Sequence, residues 1–295
     1  MSVIDELKTS FKTGSVLTRL IYVNVGVFLI IKILDMIGVL SGINTLASDV
    51  RDFLAIPASL EMLGSRPWTI ITYMFLHERF FHILFNMLWL YWFGKIFLDY
   101  LDQRKLLSLY LMGGIAGGLL YVTVFNIFPV FAGAVNISIC LGASASIMAI
   151  IVATAVYMPD LELYLLFFGR VKLKYLALIT FFVVSVFDFS VNTGGKISHI
   201  GGALIGLMYG YGIKNGRDIG AWLNKIIDFF VTIFRPRKKL KVTYKKPKTD
   251  IEYNNLKREH QNAIDHILDK ISKGGYESLT KEEKELLFRE SQKKN

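Results

Sequence analysis

Apolar residues fall along this chain in six blocks: about Val16 to Leu40, Arg79 to Leu98, Leu106 to Phe128, Ser138 to Tyr157, Tyr175 to Phe189 and Ile197 to Ile213. Charge is nearly absent within each block, and most are about as long as a helix needs to cross the hydrocarbon of a bilayer. A soluble core of the same size would show shorter, periodic apolar runs. The pattern predicts six membrane-spanning helices, the fifth and sixth short enough to pack inside the bundle. The opening segment MSVIDELKTSFKTGS is polar and mixed in charge. It lacks the apolar core and cleavage site of a signal peptide, so the first block is expected to be retained as a span.

Polar stretches complete the outline. The connection from about Ser41 to Glu78 is long for a bundle and should carry structure of its own. From Ile219 to Phe234, apolar residues alternate with Asn224, Lys225 and Asp228, which predicts an interfacial helix rather than a seventh span. In the last 45 residues or so, Leu256, Ile264, Ile267, Leu268 and Ile271 follow helical spacing up to Gly274-Gly275. Thr280 with Glu283 has the form of a capping box opening a second helix. The expected organisation is an N-terminal segment 1–15, a six-span domain 16–213, a juxtamembrane segment 214–249 and a two-helix module 250–295. So small a module cannot bury much surface alone, and it is expected to dock, either on a cytosolic partner or so as to regulate the core.

Composition agrees with the pattern and adds an orientation. The chain is 53% hydrophobic with a formal net charge of +10 and a mean hydropathy of +0.43. Lys8, Lys12, Arg19, Lys95, Arg104, Lys105, Arg170, Lys172 and Lys174 fall on one side of the six spans, against Arg51, Arg66, Arg79 and Lys196 on the other. By the excess of cations on cytoplasmic loops, both termini are expected inside, as in a protein of the cell (inner) membrane. Between Arg235 and Lys248 there are eight Lys or Arg and no acid. That run is expected to hold anionic lipid headgroups; it lacks the aromatic interleaving of a nucleic-acid site. A single cysteine, Cys140, excludes an intramolecular disulfide.

Three of the five histidines, His77, His82 and His199, lie in or beside apolar blocks, where an ionisable group is a candidate for function. His82 and Asn86 are one helical turn apart and can donate into one spot. Gly142-Ala143-Ser144-Ala145-Ser146 is a run of very small residues. Gly202, Gly206 and Gly210 form a stripe at four-residue spacing just after His199. Small-residue stripes let membrane helices approach closely, and packing these two together would bring the His199 imidazole to Ser144. A serine needs an adjacent base to act as a nucleophile. His199 supplies one, and the absence of an acid from these segments points to a dyad. His82, Asn86 and the Ser144 N–H are the candidate donors to an oxyanion. Ser146, the rival nucleophile, is turned about 200° from Ser144 on a helix. A metal site on His77, His82 and His199 is disfavoured, because residues five apart on a helix diverge and no Asp, Glu or Cys joins them. No cofactor is implied.

These residues resemble those of the rhomboid intramembrane serine proteases, in particular bacterial members with a six-helix core. The likeness covers about Val16 to Ile213. Four pieces occur in the family's order: Thr72-Tyr73-Met74-Phe75-Leu76-His77, His82-x-x-x-Asn86, Gly142-x-Ser144, and His199-x-x-Gly202-x-x-x-Gly206. The resemblance implies an all-α polytopic bundle, to which the spacing beyond Ile213 adds a small helical tail. It implies Ser144 as nucleophile, His199 as general base, His82 and Asn86 at the oxyanion, and helix packing through Gly142, Gly202 and Gly206. It also implies a cavity open to the extracytoplasmic side, a lateral gate near the fifth span, and transmembrane protein substrates. Departures are Ala145 where Gly is common, Met148 where some members carry an aromatic ring, and Pro67-Trp68-Thr69 where a Trp-Arg pair is common. A non-catalytic relative that escorts membrane helices is the alternative, though such relatives usually lack the serine or the histidine. A transporter would show repeat symmetry, which is not evident.

Overall fold

In the computed structural model, residues 2–43, 45–166, 168–187, 192–234 and 249–291 are described. The basic run Arg235–Lys248 and the expected end of the fifth span at Phe189 lie outside them. The chain divides into two units, 1–234 and 235–295.

In the first unit, α1 (Val3–Thr13) is followed by α2 (Val16–Ser41). Ser15 caps α2 through its hydroxyl, and Gly42 closes it in the left-handed conformation. The next segment carries α3 (Leu46–Leu54), β1 (Ile56–Pro57), α4 (Leu60–Ser65) and α5 (Thr69–Thr72), which runs into a 3₁₀ turn at Tyr73–Phe75. Trp68 ties this region together: its indole N–H donates to the Phe53 carbonyl at 3.0 Å, and its ring meets Phe53 with centroids 4.8 Å apart.

The remaining long helices are α6 (Phe80–Tyr100), α7 (Gln103–Ile127), α8 (Ser144–Tyr157), α9 (Leu173–Phe181, continued by a π turn at Phe182–Val186) and α10 (Thr193–Lys214). α2, α6 and α7 are each long and apolar enough to cross a membrane, and α8 and α9 are shorter apolar helices. Strands are few: β2 (Ile139–Cys140) pairs antiparallel with β1, and β3 (Glu162–Leu165) pairs with β4 (Gly169–Lys172). The fold is all-α in class.

Two elements differ from the sequence expectation. The fourth span begins at Ser144 rather than near Ser138, because 138–143 is held extended against the segment before α6: Ile139 and Cys140 pair with Pro57 and Ile56, and the Gly142 N–H donates to the Tyr73 carbonyl at 2.9 Å. The connection between α8 and α9, read from the sequence only as carrying Arg170, Lys172 and Lys174, forms the β3–β4 hairpin. At its base Lys172 and Lys174 both reach Asp160 and hold its carboxyl below the usual carboxylate range.

Small residues bring α7, α8 and α10 together. A Cβ on Gly206 would lie 2.5 Å from the Ala149 carbonyl oxygen, and one on Gly210 would lie 2.7 Å from that of Ala153; Gly202 faces Ala145 in the same way. The partners of the glycine stripe are thus Ala145, Ala149 and Ala153. On the other side a Cβ on Gly117 would lie 2.5 Å from the Ala145 methyl, and one on Gly201 would lie 2.7 Å from the Ala116 carbonyl oxygen. Polar links add to this. Tyr73 donates to the Gly114 carbonyl. Asn24, fully buried on α2, donates to the Tyr110 hydroxyl, which donates to the Met74 carbonyl.

After α10, α11 (Ala221–Phe234) buries Leu223 and exposes Trp222, Ile226 and Phe229; Arg104 of α7 pairs with its Asp228 at 3.2 Å. The second unit contains α12 (Asp250–Gly274) and α13 (Lys281–Ser291). Gly275 follows α12 at φ 72°. The Thr280 N–H donates to Glu283 at 2.7 Å, the Glu283 N–H to the Thr280 hydroxyl at 3.3 Å, and Lys270 pairs with Glu283 at 2.9 Å.

The backbone approach of α8 and α10 yields a prediction. Gly206→Ala should lower stability by about 1–3 kcal/mol, as overpacking of a close contact does. Gly64→Ala, with open space around it, should change it by less than about 0.5 kcal/mol. Thermal unfolding of the two purified variants in detergent checks this; equal midpoints would contradict the packing described.

Candidate active site

Three helices and one turn converge on a single spot. Ser144 is the first residue of α8, and the N–H groups of a helix's first turn have no intrahelical acceptor. Gly142, two residues earlier, has φ 131°, a conformation that strains any residue with a side chain. It was expected at a helix–helix contact. It lies instead in the turn before α8, where a Cβ would stand 3.1 Å from His82 Nε2 and 3.6 Å from Ser144 Oγ. Gly142 leaves room between the serine and the second-span histidine.

His199 lies on α10 one turn before the stripe that α8 packs against, and the residue is 6% exposed. Its Nε2 is 2.7 Å from Ser144 Oγ. Its Nδ1 is 3.3 Å from the Val184 carbonyl oxygen, which lies in the π turn ending α9. A carbonyl only accepts, so this contact places the ring hydrogen on Nδ1 and leaves Nε2 to accept from the serine hydroxyl. Among the described residues no carboxylate hydrogen-bonds His199.

Ser146 is fully buried with its Oγ 3.9 Å from Met74 Sδ, on the side of α8 facing Gly114 of α7. It is turned away from His199.

On α6, Asn86 is 8% exposed and its Nδ2 has no hydrogen-bond partner in the protein, which leaves a buried donor available. His77 and His82 do meet, with ring centroids 5.0 Å apart and an edge-on geometry. The sequence separates them as residues on one helix would be. His77 precedes α6, in the loop after the 3₁₀ turn, so its ring folds back onto the first turn of the helix. Among the described residues no group of three or more His, Cys, Asp or Glu could hold a metal ion.

Sequence reasoning missed three contributors. Tyr73 holds both the Gly142 N–H and the Gly114 carbonyl. Gly113, Gly114, Gly117 and Gly118 of α7 give the third span its own close approach; the doubled Gly-Gly pairs were a visible signal for it. Val184 acts through its backbone, which leaves no mark in the side-chain pattern.

The bundle of apolar helices is all-α, and a serine and a histidine from two of its helices meet within it. The rhomboid domain matches residues 64–215, over half of the chain, and the protein belongs to the rhomboid family. With its apolar helices, this makes it a multi-pass membrane protein. Residues 248–293 match a family of unknown function, DUF6576. The chain is similar to the presenilin-associated rhomboid-like protein, mitochondrial, of Bos taurus, Mus musculus and Homo sapiens. Each is 27% identical over 187 residues, covering 60% of this chain and 44% of the relative. The match thus spans less than half the length of these curated relatives.

The turn at Gly142 generates a prediction. Gly142→Ala should slow labelling of Ser144 by a fluorophosphonate about tenfold or more, through strain of order 1–3 kcal/mol and crowding of His82. Ala143→Gly, which adds no atoms, should not crowd the site. Labelling rates on folded, purified variants decide this, and an unchanged rate in Gly142→Ala would count against the role given to that turn.

Proposed function

We propose that this protein is an intramembrane serine endopeptidase that cleaves transmembrane segments of other membrane proteins. The observation carrying this reading is the 2.7 Å contact between Ser144 Oγ and His199 Nε2, in a site lined by an unpaired buried donor on Asn86. Rhomboid family membership supports the same reaction class.

In the proposed reaction, Ser144 Oγ attacks the scissile carbonyl carbon as its proton passes to His199 Nε2. The Nδ1–H stays on the Val184 carbonyl and steadies the imidazolium. The carbonyl oxygen, now an oxyanion, is met by Asn86 Nδ2, the His82 imidazole and the N–H of Ser144 at the start of α8. Collapse breaks the C–N bond, and His199 returns the proton to the leaving amine. Water then attacks the acyl-enzyme with His199 again as base, releasing a carboxylic acid and restoring the serine. Burial strengthens each of these interactions relative to water.

The excess of Lys and Arg on alternate loops supports a topology with both termini in the cytoplasm of a cell (inner) membrane. The exposed Trp222, Ile226 and Phe229 of α11, followed by eight cations, support attachment of the juxtamembrane segment to anionic headgroups. The C-terminal module is given one of two roles, binding a cytosolic partner or regulating the core.

Cleavage of a reconstituted transmembrane substrate in proteoliposomes tests the reading. Ser144→Ala and His199→Ala should each abolish cleavage, His82→Ala and Asn86→Ala should reduce kcat about 10²-fold, and Ser146→Ala should remain active. A folded Ser144→Ala variant that still cleaves would sink the assignment. Wild-type protein that neither cleaves nor takes a fluorophosphonate label would favour the escort role instead.

A further inference from the structure

An open groove of about 360 Å³ runs between α9 and α10 over the inner part of α8, away from Ser144. Its lining is apolar, including Val156, Ala177, Phe181, Ala203 and Leu207, except for Lys174. From Lys174 to Phe181 the groove follows two turns of α9, about 10 Å. Leu178, Leu204 and Leu207 beside it are more than half exposed, so this face of the bundle borders lipid.

The mouth is cationic. Lys172 Nζ and Lys174 Nζ lie 3.1 and 2.9 Å from the same carboxylate oxygen of Asp160; two ammonium groups on one carboxylate leave a net positive charge. Arg170 meets Glu162 only at 3.9 Å. The β3–β4 hairpin, which carries Arg170 and Lys172, exposes Tyr164, Leu166 and Phe168 at 79–82%. An apolar, aromatic tip on a basic stem is the profile of a segment seated at a membrane interface.

We propose that this groove holds one acyl chain of an anionic phospholipid, with the lipid phosphate at Lys172 and Lys174. Charge complementarity selects the headgroup, because an ammonium pair sharing one carboxylate favours a head of net charge −1 over a zwitterionic head, whose own cation offsets its phosphate. The apolar trough between the helices selects a lipid over a free anion. The site uses neither Ser144 nor His199, so it stands or falls independently of the proposed proteolysis.

Native mass spectrometry of the full-length protein, purified in detergent and mixed with equal phosphatidylglycerol and phosphatidylcholine, tests this. The expected result is preferential retention of phosphatidylglycerol, lowered at least fivefold in the double variant Lys172→Gln/Lys174→Gln. That variant alters no apolar packing. Ala203→Phe, which fills the trough, should lower retention with the cations intact. Equal retention of both lipids, unchanged retention in the Gln pair, or displacement of phosphatidylglycerol by inorganic phosphate would each overturn the proposal.

Discussion

Everything at the candidate site depends on how closely three backbones can approach. α7, α8 and α10 meet through glycine and alanine, with carbonyl oxygens of α8 occupying the space where Cβ atoms of α10 would be. In lipid, apolar side chains gain nothing by leaving one apolar phase for another, so dispersion and fine fit hold such helices together. The same fit sets the separation of Ser144 and His199 at hydrogen-bonding range. A wider helix pair could not form this contact with side chains of their lengths. Stability and site geometry therefore share a cause.

Around that packed centre the site is finished by backbone groups. Gly142 makes room, the Tyr73 carbonyl holds the turn before α8, and the Val184 carbonyl takes the far nitrogen of His199. That last contact fills the place a carboxylate takes in a triad, with no charge to desolvate. It also comes from α9, which ends in a π turn. π turns recur at functional sites, and this one carries the carbonyl that selects the imidazole tautomer. The C-terminal end of α9 meets the imidazole, while the residues from Lys174 to Phe181 border the apolar groove.

Much of this was legible in the chain. Six apolar blocks announce the long helices, because the span of a bilayer imposes a length on any segment that crosses it. Ser144 and His199 could be paired because each sits in a small-residue run that needs a partner. What stayed hidden has physical reasons. The start of α8 depends on a two-residue strand contact with a distant loop. The meeting of His77 with His82 depends on a chain reversal just before α6. The strands of the β3–β4 hairpin, ELYL and GRVK, are four residues each and carry three charges between them, too short and too charged a pattern to signal strands.

Ser144 and His199 are 55 residues apart, with α9 threaded between their helices and α10 the last long helix of the bundle. During synthesis, α8 leaves the ribosome well before α10 exists. A nascent chain that already carries Ser144 still lacks the imidazole of His199. The contact between them forms only once α10 has found the alanine face of α8. The order of the elements along the chain thus makes assembly of this pair wait on completion of the bundle.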